Sequence, residues 1–196
     1  PIPLFSSLGQ VKSGKRYWAD GSLVAGQQFE YAFYDIGNRT STKQGGDANG
    51  DNLRSATYTP NTLNQYSQRT VPGGFDVIGA ANSASAVTVN GNAPYRYSEY
   101  FRWEIPVSNG SAPVWQSVTN IATKSGTSET NVGNVYIPKT AEVYAYDFDG
   151  NLTSDGRWNY TWDGENRLIG MDSIGTVPSA AKLKLSFEYD PLGRRI

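Results

Sequence analysis

The feature that most constrains this chain is a short motif that keeps returning. It consists of an aromatic residue, a polar turn, and a residue suited to a left-handed backbone four positions after the aromatic. Tyr146-Asp147-Phe148-Asp149-Gly150-Asn151 comes back as Tyr189-Asp190-Pro191-Leu192-Gly193-Arg194. Between them, Trp162-Asp163-Gly164-Glu165-Asn166-Arg167 has the same shape, with asparagine in the glycine slot. Glycine reaches positive φ freely and asparagine is the next most tolerant residue, so the slot calls for a left-handed turn residue. Upstream, Phe33-Tyr34-Asp35-Ile36-Gly37-Asn38-Arg39 puts Gly37 in that slot, with Tyr34 replacing the aspartate. Tyr17-Trp18-Ala19-Asp20-Gly21 keeps only the tyrosine-to-glycine spacing, and Tyr58 to Tyr66 is a looser stretch rich in tyrosine and asparagine.

Each clear copy follows a short alternating run, such as Leu183, Leu185, Phe187 and Tyr189, whose side chains share one face of a strand. Trp158, Tyr160 and Trp162 form another such face, and Asp155-Gly156 is a hairpin signal ahead of it. The repeat therefore reads as strand, turn, strand. Gly37, Gly150, Asn166 and Gly193 are its turn residues, and Tyr146, Trp162 and Tyr189 form an aromatic ladder on one face. From Val71 to Tyr136 the pattern vanishes while Gly, Ser, Ala, Asn and Val rise. Here Val87-Thr88-Val89-Asn90-Gly91 suggests a strand entering a hairpin turn, and Phe101, Trp103, Ile105 and Val107 alternate with polar neighbours. The runs Ser108 to Ala112 and Lys124 to Gly133 carry no apolar period and are expected to be loops. The expectation is an all-β fold in three parts. Residues 1–70 form a degenerate repeat segment, residues 71–136 an inserted small β-sandwich-like module, and residues 137–196 repeat hairpins. The opening at Pro1 without a methionine and the stop at Ile196, just after a turn motif, are what a segment of a longer protein would show.

The composition removes several kinds of chemistry. There is no cysteine and no histidine, so disulfides, thiolate nucleophiles, His-based triads and the usual zinc sites are gone. Seventeen basic residues against eighteen acidic ones leave a net charge of −1. No field gathers phosphates or anionic lipid, which argues against a nucleic-acid partner. No apolar run reaches the length of a membrane-spanning helix.

On these residues the chain resembles the YD-repeat, or Rhs, family of large bacterial proteins. The resemblance rests on Ala145 to Asn151, Gly156 to Ile169 and Phe187 to Ile196, with weaker matches at Gln27 to Ser41 and Tyr58 to Tyr66. It implies repeats that coil as a long β-sheet ribbon and close into a hollow shell around a C-terminal toxin. Further repeats of the parent chain would be its partners, in a secreted or cell-surface protein. Shells of this family also carry a self-cleaving aspartate in an Asp-Pro-x-Gly-Leu context. Here Asp190-Pro191-Leu192-Gly193 is followed by Arg194, so that activity is not carried over.

Other motifs receive plainer readings. Asp47-Ala48-Asn49-Gly50-Asp51 places oxygens as a calcium loop would, but the twelfth position is Tyr58, so a polar turn is expected and no metal or cofactor. Glu99 and Glu104 fall on opposite faces of one predicted strand, and Glu165 and Glu188 occupy repeat positions. A carboxylate-based hydrolase is thus a secondary alternative. Tyr100 and Trp115 are the candidate stacking rings for a glycan, the first alternative to a scaffold. The triplets at Asn38, Asn109, Asn151 and Asn159 read as coincidence in an Asn- and Thr-rich chain. The expectation is a structural scaffold with no catalytic residues, and no enzyme.

Overall fold

The computed structural model describes residues 4–196, so Pro1 lies outside the described residues. The fold is all-β, with no α-helix and a single 3-10 turn, Ser179–Ala181, among the described residues. The chain's contacts gather it into two compact units. The first holds the residues up to Tyr58 together with Pro72–Ser108 and Gln116–Val135. The second holds Thr59–Val71, Asn109–Trp115 and Tyr136–Ile196.

The first unit begins as an antiparallel meander of β1 (Leu4–Phe5), β2 (Val11–Tyr17), β3 (Leu23–Phe33), β4 (Arg39–Gly45) and β5 (Leu53–Pro60). Its register runs Ser13 to Glu30, Glu30 to Lys43 and Lys43 to Ser55. After β6 (Tyr66–Arg69), which belongs to the second unit, come β7 (Gly74–Ala80), β8 (Ala86–Val89), β9 (Tyr95–Tyr97), β10 (Tyr100–Pro106), β11 (Val114–Lys124) and β12 (Thr127–Ile137). These make two three-stranded sheets, ordered β7-β10-β9 and β12-β11-β8. Both sheets contribute to one apolar cluster of Val87, Val89, Phe101, Ile105 and Val118, with Trp103 packed against it. Phe101, Trp103 and Ile105 share one face of β10, as alternation requires. Asn90 and Gly91 both have positive φ, 48° and 79°, in the two-residue turn that leaves β8.

Thr127 to Gly133 was expected to be loop but belongs to β12, whose residues Thr127 to Asn134 are all exposed. The strand is held as the neighbour of β11 in its sheet. Its backbone groups find partners without burying a face, so no apolar period marks it.

In the second unit β13 (Glu142–Val143) pairs with β6, Glu142 opposite Arg69 and Val143 opposite Gln68. A five-stranded antiparallel sheet follows: β14 (Ala145–Tyr146), β15 (Leu152–Ser154), β16 (Trp158–Trp162), β17 (Leu168–Ser173) and β18 (Lys184–Ser186). Where the chain returns near β6, Asn109 is buried and its side-chain amide donates to the carbonyls of Val71 and Pro138. Glu142 is buried as well, and is compensated by Arg69 and by the Tyr144 hydroxyl at 3.0 Å.

Candidate functional site

The same turn is built eight times among the described residues, opening at Ser6, Trp18, Tyr34, Asp47, Asn61, Asp147, Asp163 and Asp190. In every copy the opening N–H donates to the carbonyl four residues on, and the N–H three residues on donates back to the opening carbonyl. The fourth residue always has positive φ. Gly37, Gly150, Asn166 and Gly193 stand at 95°, 88°, 57° and 75°, and Asn64 repeats the asparagine solution at 62°. This is a three-residue hairpin loop with its left-handed residue in the last place.

The aspartate of the motif has a plain task. Oδ1 of Asp163 accepts the N–H groups of Glu165 at 2.9 Å and Arg167 at 3.0 Å, and Oδ1 of Asp190 accepts those of Leu192 and Arg194, both at 2.9 Å. Asp147 does the same for Asp149 and Asn151. These donors favour the charged carboxylate. The Arg167 and Arg194 backbone N–H groups, then their guanidinium groups, hold Asp163 and Asp190 below the ordinary range. Asp47 is another member of this set. Its Oδ1 accepts from Asn49 and Asp51, so the stretch that looked like a cation loop is an uncounted copy of the repeat turn.

The aromatic slot joins one turn to the next. In six hairpins the residue before the turn pairs with the residue just after it: Phe5 with Val11, Tyr17 with Leu23, Phe33 with Arg39, Tyr146 with Leu152, Trp162 with Leu168 and Tyr189 with Arg195. In the second unit the polar tip of the ring then reaches the preceding hairpin at that same position. Tyr189 donates its hydroxyl to the Leu168 carbonyl at 2.9 Å, Trp162 its indole N–H to Leu152 at 2.8 Å, and Tyr146 its hydroxyl to Tyr66 at 3.0 Å. Each acceptor lies five residues after the opening of the earlier turn. Tyrosine and tryptophan exchange here because both present a flat ring with a donor at its end. The ladder of Tyr146, Trp162 and Tyr189 is therefore a row of staples, and it steps from the turn at Asn61 to the turn at Asp147 although 72–135 lies between them in sequence. Asn151 adds a side-chain bond to Asn166 at 2.8 Å, and the Arg167 guanidinium sits 5.1 Å from the Tyr189 ring centroid.

Tyr100 and Trp115, the candidate glycan rings, fall in different units. Both are half-buried. The Tyr100 hydroxyl donates to the Ala25 carbonyl, and its ring meets Trp18 edge-on at 5.4 Å. Trp18 in turn stacks on Tyr97 at 4.5 Å. Among the acids considered for hydrolysis, Glu165 pairs with Arg167 at 2.7 Å. Glu104 joins a cluster that sequence reading missed. Asp76, with its side chain 8% exposed, holds Arg54 and Arg102 at 2.5 Å each, and Glu104 holds the same two arginines at 2.8 and 2.6 Å. No local signal announces this quartet, because its members come from β5, β7 and β10.

No family model matches the chain. The curated relatives it matches are large proteins of one class, nucleases that act by name on tRNA. "tRNA nuclease WapA" of Bacillus subtilis is 36% identical over 86 residues, which is 41% of this chain and 3% of the relative. "tRNA3(Ser)-specific nuclease WapA" of Bacillus spizizenii is 35% identical over 86 residues, with the same shares. "tRNA(Glu)-specific nuclease WapA" of Bacillus subtilis subsp. natto is 34% identical over 73 residues, 37% of this chain and 3% of the relative. The chain thus spans a small fraction of their length. The expectation of no enzyme is corrected by these names, since the relatives are enzymes. The substrate printed in these names is a nucleic acid, whereas the near-zero net charge of this chain argues against such a partner. Among the described residues no helix is long and apolar enough to cross a membrane.

Proposed function

We propose that this chain is a wall segment of a YD-repeat sheet in a large bacterial protein of the nuclease kind that its relatives are named for. Successive hairpins form the wall, and the β-sandwich of β7 to β12 is carried on it as an insertion. The observation that supports this most is the staple from Tyr146 to Tyr66, which has the same offset as those of Trp162 and Tyr189. A strip that keeps one register across an insertion of this size is built to propagate, as repeat arrays are. In the parent protein further repeats would continue the strip, and a C-terminal effector would be enclosed by it at the cell surface or after secretion.

Cryo-electron microscopy of the whole parent protein tests the reading. The expected result is a hollow β-sheet shell with this segment in its wall. A solid globular particle, or a segment lying apart from a shell, would overturn it. The register is tested separately with Gln68→Cys and Val143→Cys, a cross-strand pair in a chain without cysteine. Oxidation should link them fully in the native protein. Linkage only after unfolding would refute the pairing of β6 with β13.

A further inference from the structure

β7 and β12 are terminal strands of their two sheets, and a trough runs between them. It consists of cavities of about 490, 540 and 280 Å³ that share lining residues. The first and second have Ala81 and Ala122 in common, and the first and third have Asn120 and Asn131. Seven residues of β7, at ~3.3 Å each, make its length on the order of 20 Å, room for about six residues of extended chain.

The two walls differ. On β7, Phe75 and Val77 pack against the sandwich core, and Gly79 follows on the same face. Gly79 carries no side chain on this face, and the ring of its cross-strand partner Phe101 fills the place, 2.4 Å from where a Cβ would stand. On β12, Val135 packs against the core, but the next positions of that face are Gly133, Asn131 and Glu129, all lining the trough. A sandwich that closed on itself would place apolar side chains there. Oδ1 of Asn120 is buried on the trough wall without a hydrogen-bond partner, so the site has an acceptor waiting for a donor. Among the charged linings, Asp76 is held by two arginines and Lys124 donates to Asn82. Glu129 has no ion-pair partner among the described residues, and so offers its charge to whatever enters.

We infer that the trough between β7 and β12 is a binding site for an extended polypeptide strand of a partner protein. The strand would have alternating apolar side chains and a lysine or arginine opposite Glu129. Terminal strands offer the backbone groups for strand addition. The apolar floor takes every second side chain, and the charge of Glu129 sets the basic position. A glycan fits less well, because the trough wall presents no exposed aromatic face.

The test uses the full chain and a fluorescent hexapeptide, acetyl-Val-Lys-Val-Thr-Val-Thr-amide, read by anisotropy, with amide exchange at β7 and β12 as the second measurement. Binding with slowed exchange in both strands is expected. Asn131→Trp, at an exposed position that fills the trough, should abolish binding while circular dichroism stays unchanged. Glu129→Gln should weaken the lysine peptide by about tenfold and leave a glutamine-for-lysine peptide unaffected. Three results would overturn the inference. They are absence of peptide binding, equal binding of a peptide N-methylated at two backbone positions, and cellohexaose binding that the Asn131 variant abolishes while the peptide fails to compete.

Discussion

Replacing Tyr146 by phenylalanine removes one oxygen and leaves the ring in place, so it isolates the staple to Tyr66, eighty residues earlier in the chain. The lost bond is a 3.0 Å neutral contact to the half-buried Tyr66, and burial pushes the Tyr146 hydroxyl's pKa upward. A bond of this kind contributes about 1 kcal/mol net, and more where the abandoned carbonyl stays away from water. Tyr146→Phe should therefore destabilise the second unit by about 1 kcal/mol, with Tyr189→Phe close to the same. Tyr34 is 50% exposed and makes no staple, so Tyr34→Phe should change stability by less than ~0.5 kcal/mol. Urea unfolding followed by tryptophan emission is the assay. It should be fitted as two transitions, because two compact units need not melt together. If Tyr146→Phe and Tyr189→Phe match the wild type while Tyr34→Phe does not, the ring tips do not hold successive hairpins and the staple argument falls.

Gly193→Val should cost about 1–3 kcal/mol through backbone strain alone, because no atom lies within 4 Å of the added Cβ. Gly193→Asn should cost far less, as Asn64 and Asn166 already occupy the slot; equal melting temperatures for the Val and Asn variants would contradict this. Asp76→Ala leaves Arg54 and Arg102 buried with half their partners gone and should cost about 3–5 kcal/mol in urea titration, whereas an effect below 1 would show that water reaches the cluster. Hydrogen bonds from Ser22, first its side chain, and from Tyr97 lower Asp20 to about 2, and donors within the turns lower Asp163 and Asp190. Because these folded pKa values lie below the unfolded ones, their stabilisation is complete above about pH 4 and fades as pH falls towards 2. The urea midpoint should drop across that window, and a flat profile would refute the assignment. Burial, then the bond to Asp155, raises Tyr160, whose contribution holds below about pH 10 and is lost at higher pH.

The turns were legible in the sequence because their cause is local. A left-handed φ admits few residues, and an aspartate that caps two N–H groups must sit at a fixed offset from them, so Gly150, Asn166 and Gly193 betray themselves by spacing. The copy with Pro60 in its aromatic slot showed only as the loose stretch Tyr58 to Tyr66, and the copies at Gly46 and at Ser6, where serine supplies the oxygen, gave no such signal. The all-β fold and the core face of β10 were legible for the same reason, since a period of two is written residue by residue. What the tertiary structure alone decided is which strands meet. The Tyr146 staple joins residues eighty apart, the Arg54–Asp76–Arg102–Glu104 quartet draws on three strands, and the first eight residues of β12 are held by their neighbour with no apolar face to announce them. Contacts of that kind depend on the path of the backbone through space, and local sequence carries no record of that path.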